Sequence, residues 1–386
     1  MNNQFVGYPR PDGRVGIRNY VAILSVMDNT NPTAHRIADM INGTIAISTP
    51  FGRSQFGFDR DMTNKTLAGL VTHPSISSVL ILSLSMETAD ILVKLVEPCG
   101  KQVKALGLQE TGGTMELTVA GARIAAQMVA KDTELVRQPC SLTDLVIGVE
   151  CGGSDATSGI AGNPATGSFA DRFVDAGGTI VLSEPAEWMG AEHLLVERAE
   201  NPEDKKNIVE FVQSFEDIAL EAGLDMQQTN PSPDNMNGGL TTLEEKSLGA
   251  IAKGGTRPIV ETIRYADQPS KRGLVCMHTG SAACESMSGL VAGGCQIVIF
   301  STGRGNSIGS TEVGVTIKVS GNPNTVKSMP ENIDIDLSTI ITKNETIDHG
   351  GQRIWDMVEK VANGKLTSAE VLGECQLAVS RWGLSV

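Results

Sequence analysis

The chain has 386 residues, 40% hydrophobic and 20% charged, which is the composition of a soluble folded protein with a sizeable core and excludes a disordered one. Its net charge of −14 disfavours nucleic acid or an anionic membrane as partner, so any anion it binds must be met by locally gathered arginines. Seven cysteines without a Cys-x-x-Cys pair, a start with neither charged nor apolar leader character, and no apolar run of membrane-spanning length point to reduced thiols in the cytoplasm.

In chain order, residues 1–20 form a lead-in rich in glycine and arginine, with Arg10, Arg14 and Arg18 just ahead of an apolar run at 20–26. A solvated turn is the plain account. Arginine forks also bind carboxylates and sulfonates in bidentate fashion, which makes Arg14 and Arg18 candidates for a substrate anion or an interface. Strands are expected at 20–26, 43–48, 78–84 and 103–108, with helices near 31–42, 62–72, 88–98 and 115–131. This alternation predicts an α/β fold of repeated strand–helix units, with parallel sheets and helices on both faces. The polar stretch Lys131-Asp-Thr-Glu-Leu-Val-Arg-Gln-Pro-Cys140 is a candidate boundary between two lobes, 1–140 and 141–386.

The second half opens with a buried strand at 145–150 that runs into Cys151-Gly-Gly-Ser-Asp155, Ser158-Gly159 and Asn163-Pro164. Glycines there let the backbone approach a ligand, and Cys151, Ser154 and Asp155 supply dense polar chemistry after a strand. An ordinary polar loop is the alternative. A helix at 166–176 and a strand at 179–183 lead to Glu184-Pro-Ala-Glu187, followed by His193. Glu184, Glu187 and His193 could hold a hard cation or act as acid and base, whereas first-turn helix charge is the bland reading of the same carboxylates.

A charged amphipathic helix at 199–223 reads as structural. Thr241 with Glu244 has the spacing of a capping box. Lys246 could hold a carboxylate or serve as a base if desolvated; for Lys253, a helix-surface lysine is the favoured reading. Strands at 273–278 and 295–300 flank a helix at 285–293, and the turn after the second contains Thr302 and Arg304. That turn suits an anion cradle. It leaves no room for the helix of a dinucleotide fingerprint, so no nicotinamide cofactor is expected. Helices near 350–363 and 368–380 close the chain.

The Cys151-Gly-Gly-Ser-Asp155 run resembles the signature of the altronate/galactarate dehydratase family, large catalytic part. Gly177-Gly-Thr-Ile-Val-Leu-Ser-Glu184, Gly239-Leu-Thr-Thr-Leu-Glu-Glu-Lys-Ser-Leu-Gly249 and Ser301-Thr-Gly-Arg-Gly305 carry the likeness further. The dehydratases of that family imply His-x-x-Gly-Cys near residue 50 and Gly-Cys-Glu near residue 86. This chain has Phe51-Gly-Arg-Ser-Gln-Phe-Gly57 and Ser85-Met86-Glu87 instead, and the first form is similar to a sulfo-lyase branch. The resemblance implies a lyase that eliminates a group β to the carboxylate of a 2-hydroxy acid to give a 2-keto acid, either sulfite or water leaving. A hydroxy-acid-binding subunit without turnover is a third reading. It further implies Arg14, Arg18, Arg53, Gln55, Ser154, Thr302 and Arg304 toward an anionic substrate. Cys151, Asp155, Glu184 and Glu187 then fall toward a divalent metal (iron, manganese or magnesium), and His193 or Lys246 becomes the base. A small companion subunit or domain and an oligomeric assembly complete the expectation.

Overall fold

A computed structural model of the chain describes residues 3–381 and residue 383. Two all-parallel sheets form the framework. The first runs Thr44–Ile47, Tyr20–Ser25, Ile76–Ser83, Gln102–Gly107, and the second runs Ile259–Ile263, Gly273–Met277, Thr179–Leu182, Val146–Cys151, Ile297–Ser301, Val315–Ser320, Ile335–Asp336. Apolar runs bounded by turns make these strands, because a strand covered on both faces must be hydrophobic at every position.

The alternation of side chains sorts the large sheet into two cores. Ile147, Val149, Ile180 and Leu182 face the helices Asn163–Asp175 and Ile347–Ala362, whereas Val181, Val275, Val298 and Phe300 face Ala283–Ala292. Beyond Ala283–Ala292 lies Gly57–Thr72, and beyond that the Ala22, Leu24, Val79 and Ile81 face of the small sheet. One continuous apolar layer therefore joins the two sheets. Gly69 is where the two interlobe helices come closest: a Cβ there would lie 2.4 Å from the Ala292 carbonyl oxygen. The remaining face of the small sheet packs Val21, Ile23, Leu80 and Leu82 on Asn31–Met40 and Thr114–Asp132.

Three local expectations need correction. The polar stretch at 131–140 leads into a strand, Gln138–Ser141, which pairs with Gln4–Pro9; Pro139 hid it, since proline suits only an edge position. The cap of the helix Leu243–Ile251 is Thr242, whose hydroxyl accepts the Glu245 amide, while Glu245 turns back to Thr241. The final helix stops at Leu372 because Gly373 adopts φ +67; the chain beyond it bonds to Gly309, Ser310 and Ser288. No helix among the described residues is long and apolar enough to cross a membrane.

Candidate active site

In the large sheet, Val146–Cys151 lies between Thr179–Leu182 on one side and Ile297–Ser301 on the other. The chain builds outward first to one side and later to the other, so the carboxyl ends of these strands meet at a switch point, where open parallel sheets bind ligands. Three loops converge there: Cys151 to Asp155, Ser183 to Glu187, and Thr302 to Gly305. The first and third are stitched together, since the amides of Gly303 and Arg304 both donate to the Gly153 carbonyl at 3.2 and 2.8 Å. Gly303 is obligatory, because a Cβ would fall 2.0 Å from Asp155 Oδ1. The chain then enters Asn163–Asp175 through a π-helical turn, Ser158–Gly162, a local widening often seen at functional sites.

At the centre sits Lys253, fully buried. Its ammonium donates to Cys151 Sγ at 3.0 Å and to Glu184 Oε2 at 2.8 Å, with Glu187 Oε2 at 3.5 Å. The Cys151 thiol donates to Glu187 Oε2 at 2.6 Å, and the Cys151 amide to Glu184 Oε2 at 3.0 Å. Lys246 reaches the other Glu187 oxygen at 3.3 Å and Asn230 Oδ1 at 2.8 Å. Glu184 adopts φ +66 and ψ +63, a left-handed conformation that strains a non-glycine residue. Its amide, donating to the Thr279 hydroxyl at 2.9 Å, helps hold it there.

Behind this layer lies Glu150, also fully buried. Its Oε2 accepts the Ser183 and Ser286 hydroxyls, both at 2.6 Å. Its Oε1 is buried and accepts nothing, which suits the oxygen that carries a proton. Burial, then the neighbouring Glu184 charge, hold the Glu150 carboxyl well above the usual range. Burial and repulsion from Glu187 raise Glu184. Burial works against Glu187 ionisation too, but the Lys253 and Lys246 ammonium groups outweigh it and keep Glu187 below the usual range. Burial disfavours the Lys253 ammonium, yet the surrounding Cys151, Glu184 and Glu187 hold its pKa well above normal. The Cys151 thiol is pushed well up, by burial and then by Glu184 and Glu187. These directions favour an ammonium at Lys253, a carboxylate at Glu187 and a thiol at Cys151, and with the unpaired Oε1 they favour a proton on Glu150.

One ligand atom each from Cys151, Glu184 and Glu187 lies within 4.8 Å of the others, a spacing and donor set compatible with one divalent cation. The Lys253 ammonium already touches the same three groups, so a metal ion and that ammonium would contend for one place. Asp155 falls outside the group: its Oδ1 accepts from Thr157 and Ser158, and its Oδ2 from Asn322 at 2.7 Å.

Of the residues singled out in the sequence, Cys151, Glu184, Glu187 and Lys246 come together, and Ser154 joins them through its hydroxyl 3.8 Å from Cys151 Sγ. Ser154, Asp155 and Lys246 also line an adjoining cavity of about 330 Å³. Thr302 and Arg304 stand on the facing loop, where the Thr302 hydroxyl accepts the Gly305 amide and Arg304 pairs with Asp234 at 2.8 Å. His193 is exposed on the helix Glu192–Arg198 and makes no hydrogen bond or ion pair among the described residues, so it is not part of the cluster. Arg14 pairs with Asp12 and the Thr72 carbonyl, away from the cluster, and its Nη1 is buried without a partner. Arg18, 6% exposed, forks onto Glu370 and donates to three backbone carbonyls, which makes it a fastener of the lead-in and not a free anion ligand. Arg53 and Gln55 belong to a separate cavity in the first lobe.

Lys253 and Glu150 are the residues that sequence reasoning missed. The surface reading of Lys253 is overturned by its complete burial. The available signal was Leu248-Gly-Ala-Ile-Ala-Lys-Gly-Gly255, a lysine amid apolar and glycine residues with no polar companion. Those small residues let the turn pack tightly: a Cβ on Gly167 would lie 2.1 Å from the Ala252 carbonyl.

The family described as D-galactarate/altronate dehydratase, C-terminal, matches residues 142–385, and the D-galactarate dehydratase/altronate hydrolase second domain matches residues 7–132. The chain is 36% identical to (2R)-sulfolactate sulfo-lyase subunit beta of Chromohalobacter salexigens, covering 98% of this chain and 97% of that one. It is 30% identical to altronate dehydratase of Bacillus subtilis, over 100% of this chain and 79% of that enzyme. Galactarate dehydratase (L-threo-forming) of Escherichia coli matches at 37% over 63% of this chain and 46% of its own length.

Proposed function

The chain belongs to the D-galactarate/altronate dehydratase family and is a lyase, and on that premise we propose that it is the large subunit of an enzyme eliminating sulfite from (2R)-sulfolactate. The higher identity to a sulfo-lyase subunit beta, 36% against 30% to the altronate dehydratase, supports the choice of branch. The observation that carries the chemistry is the buried Lys253 ammonium against Cys151 and Glu184.

Elimination removes a proton from C2 and a leaving group from C3, and the resulting enol takes a proton at C3 and releases its hydroxyl proton to become the keto acid. A base must meet a weakly acidic C–H, and charge gathering on the substrate carboxylate must be stabilised. In our reading the Cys151 proton passes along its 2.6 Å hydrogen bond to Glu187. The thiolate so formed lies beside the Lys253 ammonium and, having a high pKa, is a strong base once made. It takes the C2 proton and becomes a thiol again. The C2–H electron pair forms the C2–C3 double bond as the C3–S bond breaks and sulfite departs with its pair. Glu187 then gives up the proton it borrowed, to the departing group or to water. Lys253 remains a fixed positive charge throughout. Lys246 and Ser154 from the cavity, and Thr302 and Arg304 from the facing loop, bind and orient the acid.

A second reading is favoured by one feature, the spacing of Cys151, Glu184 and Glu187: a sugar-acid hydro-lyase. A divalent ion on those atoms would supply Lewis acidity for departure of hydroxide. The relative's designation as a subunit beta supports a small companion chain, and we expect a cytoplasmic hetero-oligomer acting on a small anion. The deciding experiment purifies the chain with that companion and assays sulfite release from (2R)-sulfolactate beside keto-acid formation from altronate and galactarate. Sulfite release alone supports the proposal. Keto acid from a sugar acid without sulfite release overturns it in favour of the hydro-lyase.

A further inference from the structure

The small sheet has a switch point of its own. Tyr20–Ser25 lies between Thr44–Ile47 and Ile76–Ser83, so the order of building reverses beside Tyr20–Ser25. A cavity of about 500 Å³ opens at the carboxyl ends, lined from three adjoining loops by residues that include Met27, Arg53, Gln55, Arg60 and Thr88. It shares no lining residue with the cavity beside Ser154 and Lys246. The loop Phe51-Gly-Arg-Ser-Gln-Phe-Gly57 and the segment around Ser85-Met86-Glu87, distant in sequence, both contribute to its wall.

Its polar groups are arranged for a negative charge. Gln55 is only 8% exposed; its Oε1 accepts the Gly52 amide at 3.1 Å, and its Nε2 is buried with no partner. A buried amide donor left unpaired is an exception that calls for an acceptor, and a ligand oxygen would provide one. Arg53 is held by Asp28 at 2.8 and 3.0 Å, whereas Arg60 has no hydrogen bond or ion pair among the described residues. Two helices, Gly57–Thr72 and Met86–Val96, begin at this wall; the first has no side-chain cap, whereas the Met86 amide of the second donates to Glu110 Oε1 at 3.1 Å. The open amide end of Gly57–Thr72 adds positive potential. Glu87 is the carboxylate on the wall; it is exposed, in the first turn of Met86–Val96. On a chain of net charge −14, with Arg53 balanced by Asp28 and Glu87 on the wall, Arg60 and the unpaired Gln55 amide are the groups that would hold an anion.

We propose that this cavity is a second small-anion site, separate from the Lys253 centre, which takes the sulfonate or carboxylate head of a small organic acid on Arg60, Arg53 and the free Gln55 amide. The proposal does not depend on which elimination the enzyme performs, and its test reads binding, not turnover. The probe is trifluoromethanesulfonate, followed by ¹⁹F line broadening on the full chain with its companion. Binding should saturate, be displaced by methanesulfonate and by lactate, and weaken roughly tenfold in Arg60→Ala and in Gln55→Leu. It should be unchanged in Lys253→Met. Arg60 is exposed, so its variant should fold even if Gln55→Leu does not. Broadening that never saturates, or that survives Arg60→Ala and vanishes in Lys253→Met, overturns the proposal.

Discussion

The Lys253 ammonium lies 3.0 Å from the sulfur of Cys151, although 102 residues separate the two in the chain. Its other partners are carboxylates, so the ammonium both neutralises the cluster and polarises the thiol. Replacing Lys253 with methionine keeps the apolar body of the side chain and removes the ammonium with its hydrogen bonds. Turnover should fall on the order of 10²–10³-fold, as for loss of one preorganised electrostatic group. The fold should lose about 3–5 kcal/mol, because Glu184 is left buried without its cation and Glu187 keeps only Lys246. Steady-state rates and denaturant unfolding check both effects, and wild-type turnover in this variant would remove Lys253 from the mechanism.

Much of this fold is legible in the sequence, and the reason is physical. Strands covered on both faces appear as unbroken apolar runs, so 78–84 is expected and Ile76–Ser83 is found. The start of Gly57–Thr72 is read five residues late because glycine opens it and no side-chain cap marks it. Two adjacent threonines face two adjacent glutamates at 241–245, and both registers satisfy the capping pattern; only the path of the entering chain selects Thr242. Of the site, Cys151, Glu184 and Glu187 are legible because Cys151 ends one strand and the two glutamates follow another. Lys253 is not, since a buried charge is defined by partners remote in the chain.

Glu150 gives a pH test. Its folded-state pKa is raised well above the ordinary carboxyl value, so the native state keeps a proton that the unfolded chain releases. As pH rises above the unfolded pKa, the unfolded state binds fewer protons than the native one, and stability falls until Glu150 ionises in the folded state. Glu150→Gln removes this loss: the amide oxygen can still accept Ser183 and Ser286, and the NH₂ can face Glu184. Relative to wild type, the variant should therefore gain stability progressively from about pH 4.5 upward, read by melting curves across pH. A difference independent of pH would mean that Glu150 is not the proton holder.

Arg18 separates fastening from binding. It joins the lead-in to the carbonyls of Val361 and Lys365 and to Glu370. Arg18→Ala should cost about 3 kcal/mol by orphaning those acceptors and a half-buried carboxylate. The KM of the surviving folded enzyme should not move. A large rise in KM with unchanged stability would return Arg18 to the substrate.

The contention between Lys253 and a metal ion can be read without any turnover. Cys151, Glu184 and Glu187 offer one sulfur and two carboxylates within 4.8 Å, and the ammonium lies against all three. A cation entering that place must either displace the ammonium or lie beside it against like-charge repulsion, which in a buried site is severe. It must also strip the proton from Cys151, whose thiol is held well above its usual pKa. Co²⁺ is a suitable reporter, because a thiolate–cobalt bond gives an intense near-ultraviolet band that carboxylate coordination lacks. Lys253→Met should bind Co²⁺ at least about tenfold more tightly than wild type, with that band appearing, since removal of one competing unit charge is worth more than 1.4 kcal/mol at these distances. The affinity should rise with pH as the Cys151 proton is released. If wild type instead takes one equivalent of Co²⁺ with the sulfur band already present and Lys253→Met binds no better, the ammonium is not the resident cation, and the three donors form a metal site of the hydro-lyase kind.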